Sequence, residues 1–203
     1  MDVIVTAPPG ALVTWEEADA HLRLDGDEDQ REYVMRLAAA ASAHIDGPTG
    51  WLGRAIGPQT LRAALARVED LLEPLPYPPL IDVVGIQYVD ASRQVQTWDP
   101  QNYETIGGRI IPVEGAALPA VYDGTYSRSF PLVTVSYRAG FVVDAAANPL
   151  VPAVPEPIRH AVLLMIGDMY RFPETASDLN VAPSAIPMST TVKHLLSPFR
   201  KFF

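Results

Sequence analysis

The chain has 203 residues, 48% of them hydrophobic and 19% charged, enough for one sizeable core or two small ones. It carries no cysteine, which excludes a disulfide framework, a thiolate metal site and a cysteine nucleophile. Its net charge of −9 excludes the basic footprint with which tight nucleic-acid binders neutralise phosphates.

Residues 1–13 read as an irregular lead-in; they lack the basic-then-apolar pattern of a signal peptide, so the chain is expected to be intracellular. Thr14-Trp15-Glu16-Glu17 then forms a capping box, and a short helix follows with Trp15, Ala18 and Leu22 on its core face, ending by Leu24. Asp27 can cap a second helix, for which Tyr33, Leu37, Ala40, Ala41, His44 and Ile45 supply the predicted apolar stripe, up to Gly47 or Gly50. The period changes at Ile56. Residues 59–68, 83–89, 95–98, 103–106, 109–113 and 132–141 are short, β-branched or aromatic stretches separated by turn residues such as Asp99-Pro100 and Gly107-Gly108, and they predict a small sheet. The breaker cluster of residues 73–79, with four prolines, forces an extended passage between 59–68 and the later stretches. A proline-rich linker, 148–155, leads to residues 155–172, a helix entered through Pro155 and Pro157 and ended by Pro173. There Ile158, Ala161, Val162, Met165, Ile166 and Met169 recur at helical spacing, with Leu163, Leu164 and Tyr170 on the other side, so the helix is expected to be buried on most sides. The run is too short for a bilayer and Asp168 interrupts it. Residues 174–188 read as a polar loop, and Ser189 or Thr190 can cap a last helix through Leu196, stopped by Pro198.

Little in this pattern is chemical. Asp25, Asp27 and Asp29 have the spacing of a calcium loop's first ligands, but Gln30 stands where its turn needs glycine and Arg36 where it needs a bidentate glutamate, so an acidic helix start is the reading. His21, His44, His160 and His194 are isolated in sequence, and neither a phosphate loop nor a nucleophile elbow occurs. The tail is more informative. Residues 1–50 hold ten acids against three bases, whereas Lys193, Arg200 and Lys201 follow Thr190 with no acid, and Phe199, Phe202 and Phe203 flank the last two cations. Either Phe199 and Phe202 fold back onto their own core, or Leu195, Leu196, Pro198, Phe199, Arg200, Lys201, Phe202 and Phe203 form an aromatic, basic anchor for a partner.

Several stretches, in this order and spacing, resemble the head-tail connector (adaptor) proteins of long-tailed bacteriophages and phage-like gene transfer agents, in the subfamily with a β insertion between helices. They are Thr14-Trp-Glu-Glu-Ala-Asp-Ala-His-Leu-Arg-Leu-Asp25, Thr49-Gly50 with Gly53-Arg54-Ala55, Leu75-Pro-Tyr-Pro-Pro-Leu80 with residues 84–90, residues 133–140, residues 155–170, and Leu195-Leu-Ser-Pro-Phe-Arg200. The Gly47-Pro48 interruption departs from the unbroken helix the family leads one to expect. The resemblance implies an α+β fold: a helical bundle built from N- and C-terminal helices (residues 1–55 and 151–203) with an inserted, mainly antiparallel β region (56–150). It implies a structural virion protein of the particle neck, assembled in the bacterial cytoplasm, with no enzymatic activity, cofactor, metal or membrane. Its copies would form a ring, commonly of twelve, below the portal protein, with a stopper or tail terminator as the next neck component. DNA would pass through the lumen without specific binding, since carboxylates along the channel repel phosphates. In relatives the C-terminal segment engages the portal, and Leu195 to Arg200 match it. Two other readings remain: a tail-completion or head-closure protein of the same particle, and an α+β hydrolase, which would need paired carboxylates converging from the sheet.

Overall fold

Side chains that alternate between core and solvent make a strand when a second alternating strand lies beside it, and two stretches of this chain do so throughout their length. They are β2 (Gln59–Leu65) and β7 (Val133–Ala139), paired antiparallel from Gln59 opposite Ala139 to Leu65 opposite Val133. The computed structural model describes residues 1–122, 131–172 and 188–202. Within these the chain divides into two compact units, one of residues Met1–Pro9 with Pro58–Val151, the other of Gly10–Gly57 with Pro152–Phe203. The fold class is α+β, with a mainly antiparallel sheet.

The first unit is built on a five-stranded antiparallel sheet ordered β1-β2-β7-β3-β4, where β1 is Asp2–Ala7, β3 Leu80–Val89 and β4 Val95–Trp98. Its core face carries Leu61, Ala63, Leu65, Val133, Val135, Tyr137 and Ile86, all without solvent exposure. A separate hairpin joins β5 (Tyr103–Ile106) to β6 (Arg109–Pro112) through Gly107 and Gly108. Both glycines have positive φ, +60° and +79°, the pair of left-handed residues that a tight hairpin turn requires. The Gly108 carbonyl accepts the Leu75 N–H at 2.8 Å, and the Tyr137 hydroxyl donates to the Pro76 carbonyl at 2.9 Å, so the proline-rich passage is tied down by two polar contacts. Burial raises the Tyr137 pKa and keeps the phenol protonated as that donor.

In the second unit α1 (Trp15–Leu22), α2 (Glu28–Ile45) and α4 (Thr190–Leu196) are begun by side-chain caps, and α3 (Glu156–Arg171) is entered through Pro155 and Pro157. Thr14 Oγ1 accepts the Glu17 N–H at 3.3 Å while Glu17 Oε2 accepts the Thr14 N–H at 2.7 Å. Glu17 has a second use: its Oε1 pairs with Arg159 of α3 at 2.7 Å, so the box that starts α1 also fixes α1 to α3. Asp27 caps α2 and Ser189 caps α4. Helix α3 packs against all three others and buries Ile158, Ala161, Val162, Met165 and Ile166. Gly167 of α3 faces His21 of α1, and a Cβ there would make only an ordinary van der Waals contact with its Nε2 at 3.4 Å.

Four expectations are corrected. Residues 2–7 are no irregular lead-in but the edge strand β1, paired with β2 from Asp2 opposite Ala64; four of its six residues are exposed, so no alternation marks it. The stretch 59–68 ends as a strand at Leu65, because residues 68–72 turn into a 3₁₀ helix that buries Val68 and Leu71. The buried stripe of α2 is Val34, Ala38, Ala41, Ser42 and Ile45, rotated from the predicted one; Ala40 is exposed, and α2 stops at Ile45 ahead of Gly47, whose φ is +71°. Helix α3 buries one broad face only: Leu163, Leu164, Met169 and Tyr170 are half-buried. The polar loop, except Met188, lies outside the described residues.

Candidate partner-binding surface

The segment after α2 is a tight turn built on one carboxylate. Asp46 is 7% exposed and accepts the Ile56 N–H at 2.7 Å on Oδ1 and the Gly57 N–H at 3.0 Å on Oδ2. The turn folds back on the helix end, with the Trp51 N–H donating to the His44 carbonyl at 2.9 Å and the Leu52 N–H to the Ile45 carbonyl at 3.2 Å. Gly50 sits so close to the backbone of Asp46 that an added Cβ would lie 2.4 Å from its carbonyl oxygen, so no side chain fits. This is the physical content of the Thr49-Gly50 and Gly53-Arg54-Ala55 motif.

The C-terminal tail is seated on that turn. The Lys201 N–H donates to the Leu52 carbonyl at 2.8 Å, and the Arg200 guanidinium carbon lies 4.1 Å from the Trp51 ring centroid and 4.6 Å from that of Phe202. Of the predicted anchor residues, Leu196 is fully buried in its own unit, and Leu195, Phe199 and Arg200 are half-buried. Pro198 and Lys201 are exposed, Phe202 is 78% exposed, and Phe203 lies outside the described residues. The tail's backbone and Arg200 thus rest on the subunit, while Phe202 does not fold back onto the core. Sequence reading missed Trp51 and Asp46; a tryptophan in a turn flanked by Gly50 and Gly53 was the available signal.

No catalytic arrangement converges elsewhere among the described residues. An open groove of about 380 Å³ on the outer face of the sheet is lined by Asp2, Ile4, Arg62, Ala64, Gln87, Pro131 and Thr134. It holds one carboxylate where a glycoside hydrolase needs two. Asp27 of the acidic run is committed to capping α2, and no group of three or more His, Asp or Glu among the described residues is placed to hold a metal ion. Of the histidines, His21 and His160 do come together, edge to face with centroids 6.3 Å apart, and burial together with the nearby His160 lowers the His21 pKa. His44 Nε2 lies 3.3 Å from Met188 Sδ, and His194 is exposed.

No protein-family model matches the chain, and no curated relative matches it by sequence. Among solved structures it is similar to a chain in the virion of a native gene transfer agent (GTA) particle, with a TM-score of 0.64 and 22% identity. It is similar also to a chain in the neck of an empty GTA particle computed with C6 symmetry, at TM-score 0.67 and 23% identity. A third match is a chain in the neck of a native GTA particle computed with C12 symmetry, at TM-score 0.59 and 19% identity. Each likeness covers 100% of this chain and 97% of the other. At these identities the likeness is one of fold, and it spans both compact units.

Proposed function

We propose that the chain is a structural protein of a virion neck, a head-tail connector (adaptor) that joins a ring below the portal of a DNA-filled head. One observation carries this reading: the fold likeness runs the whole length of this chain and 97% of chains from GTA virions and necks. The ordered motifs of the sequence support it independently. In this reading the four helices form the connector's bundle, residues 58–151 of the sheet unit are its β insertion, to which β1 adds an edge, and twelve copies close the ring, in keeping with the C12 symmetry of one of those necks. The portal protein and the next neck component, a stopper or tail terminator, are the partners. The role is mechanical: DNA passes through the lumen without specific binding, and the excess of acids lowers its affinity for the wall. The chain is made in the bacterial cytoplasm and ends in the neck of the particle, where Leu195, Leu196, Pro198, Phe199, Arg200, Lys201, Phe202 and Phe203 form the portal-facing segment.

Removing residues 198–203 tests this. The truncated protein is expected to melt close to the full-length one, since it loses the two backbone hydrogen bonds that Arg200 and Lys201 donate to Ser197 and Leu52 and one partly exposed cation–π contact, each worth about 1 kcal/mol or less at this surface. It should fail to attach to purified, tail-less heads that carry the portal. Normal attachment would overturn the role of the tail. Electron microscopy of labelled particles separates the two neck readings: label at the portal supports the connector, and label further down favours a tail-completion or head-closure protein.

A further inference from the structure

The arginine of the tail is held between aromatic rings. Arg200 lies against two aromatic rings, Trp51 and Phe202, and the backbone beside it is pinned by the Lys201 N–H on the Leu52 carbonyl. Contact with rings uses the faces of a guanidinium and leaves its in-plane N–H groups as donors. Among the described residues no carboxylate or carbonyl accepts from that side chain; Arg93 and Arg171 also lie over a ring, but each over one, whereas Arg200 lies against two. The backbone of Trp51 is held in the turn by its N–H on the His44 carbonyl at 2.9 Å, so the ring is already placed against Arg200 before any partner binds.

We infer that Trp51 belongs to the partner-binding surface as a positioning residue, holding Arg200 so that its donor edge meets a carboxylate, from an aspartate or glutamate side chain, on the portal-side partner. The inference rests on the connector reading and names the chemistry of its tail contact. The charge pattern fits an acidic partner: Lys193, Arg200 and Lys201 follow Thr190 with no acid among them. The planar fork of arginine matches a carboxylate with two parallel hydrogen bonds; a lysine carries the same charge without that geometry. The exposed ring of Phe202 supplies the apolar contact beside it.

The test uses full-length Trp51→Leu, which keeps apolar bulk without the indole, and Arg200→Lys, which keeps charge without the fork. The truncation at residue 198 serves as reference. Melting temperature and affinity for portal-bearing, tail-less heads are measured for each. Both variants should melt with the wild type and attach about tenfold more weakly or worse, the loss expected for a charge-assisted pair. If the truncation abolishes attachment while Trp51→Leu and Arg200→Lys attach normally, the composite surface is wrong and the tail contact stands. If the truncation attaches normally, the tail contact itself fails, and this inference with it. A fall in melting temperature for Trp51→Leu that accounts for its lost attachment would assign Trp51 to stability alone and overturn its positioning role.

Discussion

The helical unit and the sheet unit reach a buried core by different routes. In the helical unit each element is begun by residues adjacent to it in the chain: Thr14 with Glu17, Asp27, Pro155 with Pro157, and Ser189. In the sheet unit only the hairpins β3-β4 and β5-β6 are local, and the pairings that build its core are not. β1 is defined by β2, more than fifty residues on, and β2 by β7, some seventy further. A helix satisfies its own backbone hydrogen bonds, whereas a strand satisfies them only on a partner, so local changes should be better tolerated in the helices than in the strands.

The largest effects should come from truncating the cores. Met165→Ala in α3 and Leu61→Ala in β2 both empty fully buried sites and should each cost about 2 to 5 kcal/mol. Leu61→Ala should be the more damaging, since alanine favours a helix and disfavours a strand. Denaturant titrations of the two variants give the order, and the reverse order would break the comparison. Next is the turn after α2, which is held by the buried Asp46 carboxylate. Asp46→Ala leaves the buried N–H groups of Ile56 and Gly57 without that acceptor and should cost about 2 kcal/mol or more. Tyr137→Phe in β7 removes only the hydroxyl bond to Pro76 and should cost about 1 kcal/mol by thermal melting. An unchanged melting curve would show that the proline-rich passage is held by packing alone.

The smallest effect is one of pH. Burial and the charge of His160 hold the His21 pKa below the ordinary 6.5, so the folded chain binds fewer protons there than the unfolded one. That contribution is complete above the ordinary histidine value and is lost as pH falls from it through the lowered one. Melting temperatures followed from neutral to mildly acidic pH should therefore decline, and His21→Asn should flatten the decline. An equal slope in wild type and variant would assign the acid sensitivity to other groups.

These routes also explain what could be read from the chain in advance. The capping box, the start of α4 at Ser189, the hairpin at Gly107-Gly108 and the buried face of α3 were legible, because each is a local pattern. The edge strand β1 was not, since an edge buries little and Asp2 to Ala7 carry no alternation. The rotation of the α2 stripe followed from Ala38 and Ser42, small residues whose burial depends on which helix approaches. At the surface, the aromatic and basic composition of the tail was legible, but its seat was not: Trp51 and Lys201 are 150 positions apart, and only folding places Leu52 under the tail.

The account's central claim is a place in a particle. A reconstruction of the neck of particles that contain this chain tests it most directly. The account predicts density for the chain as a closed ring immediately below the portal, with the Leu195–Phe202 segment against the portal and the channel open for DNA. Density for the chain in the head shell or along the tail, with another protein occupying the ring below the portal, would contradict it.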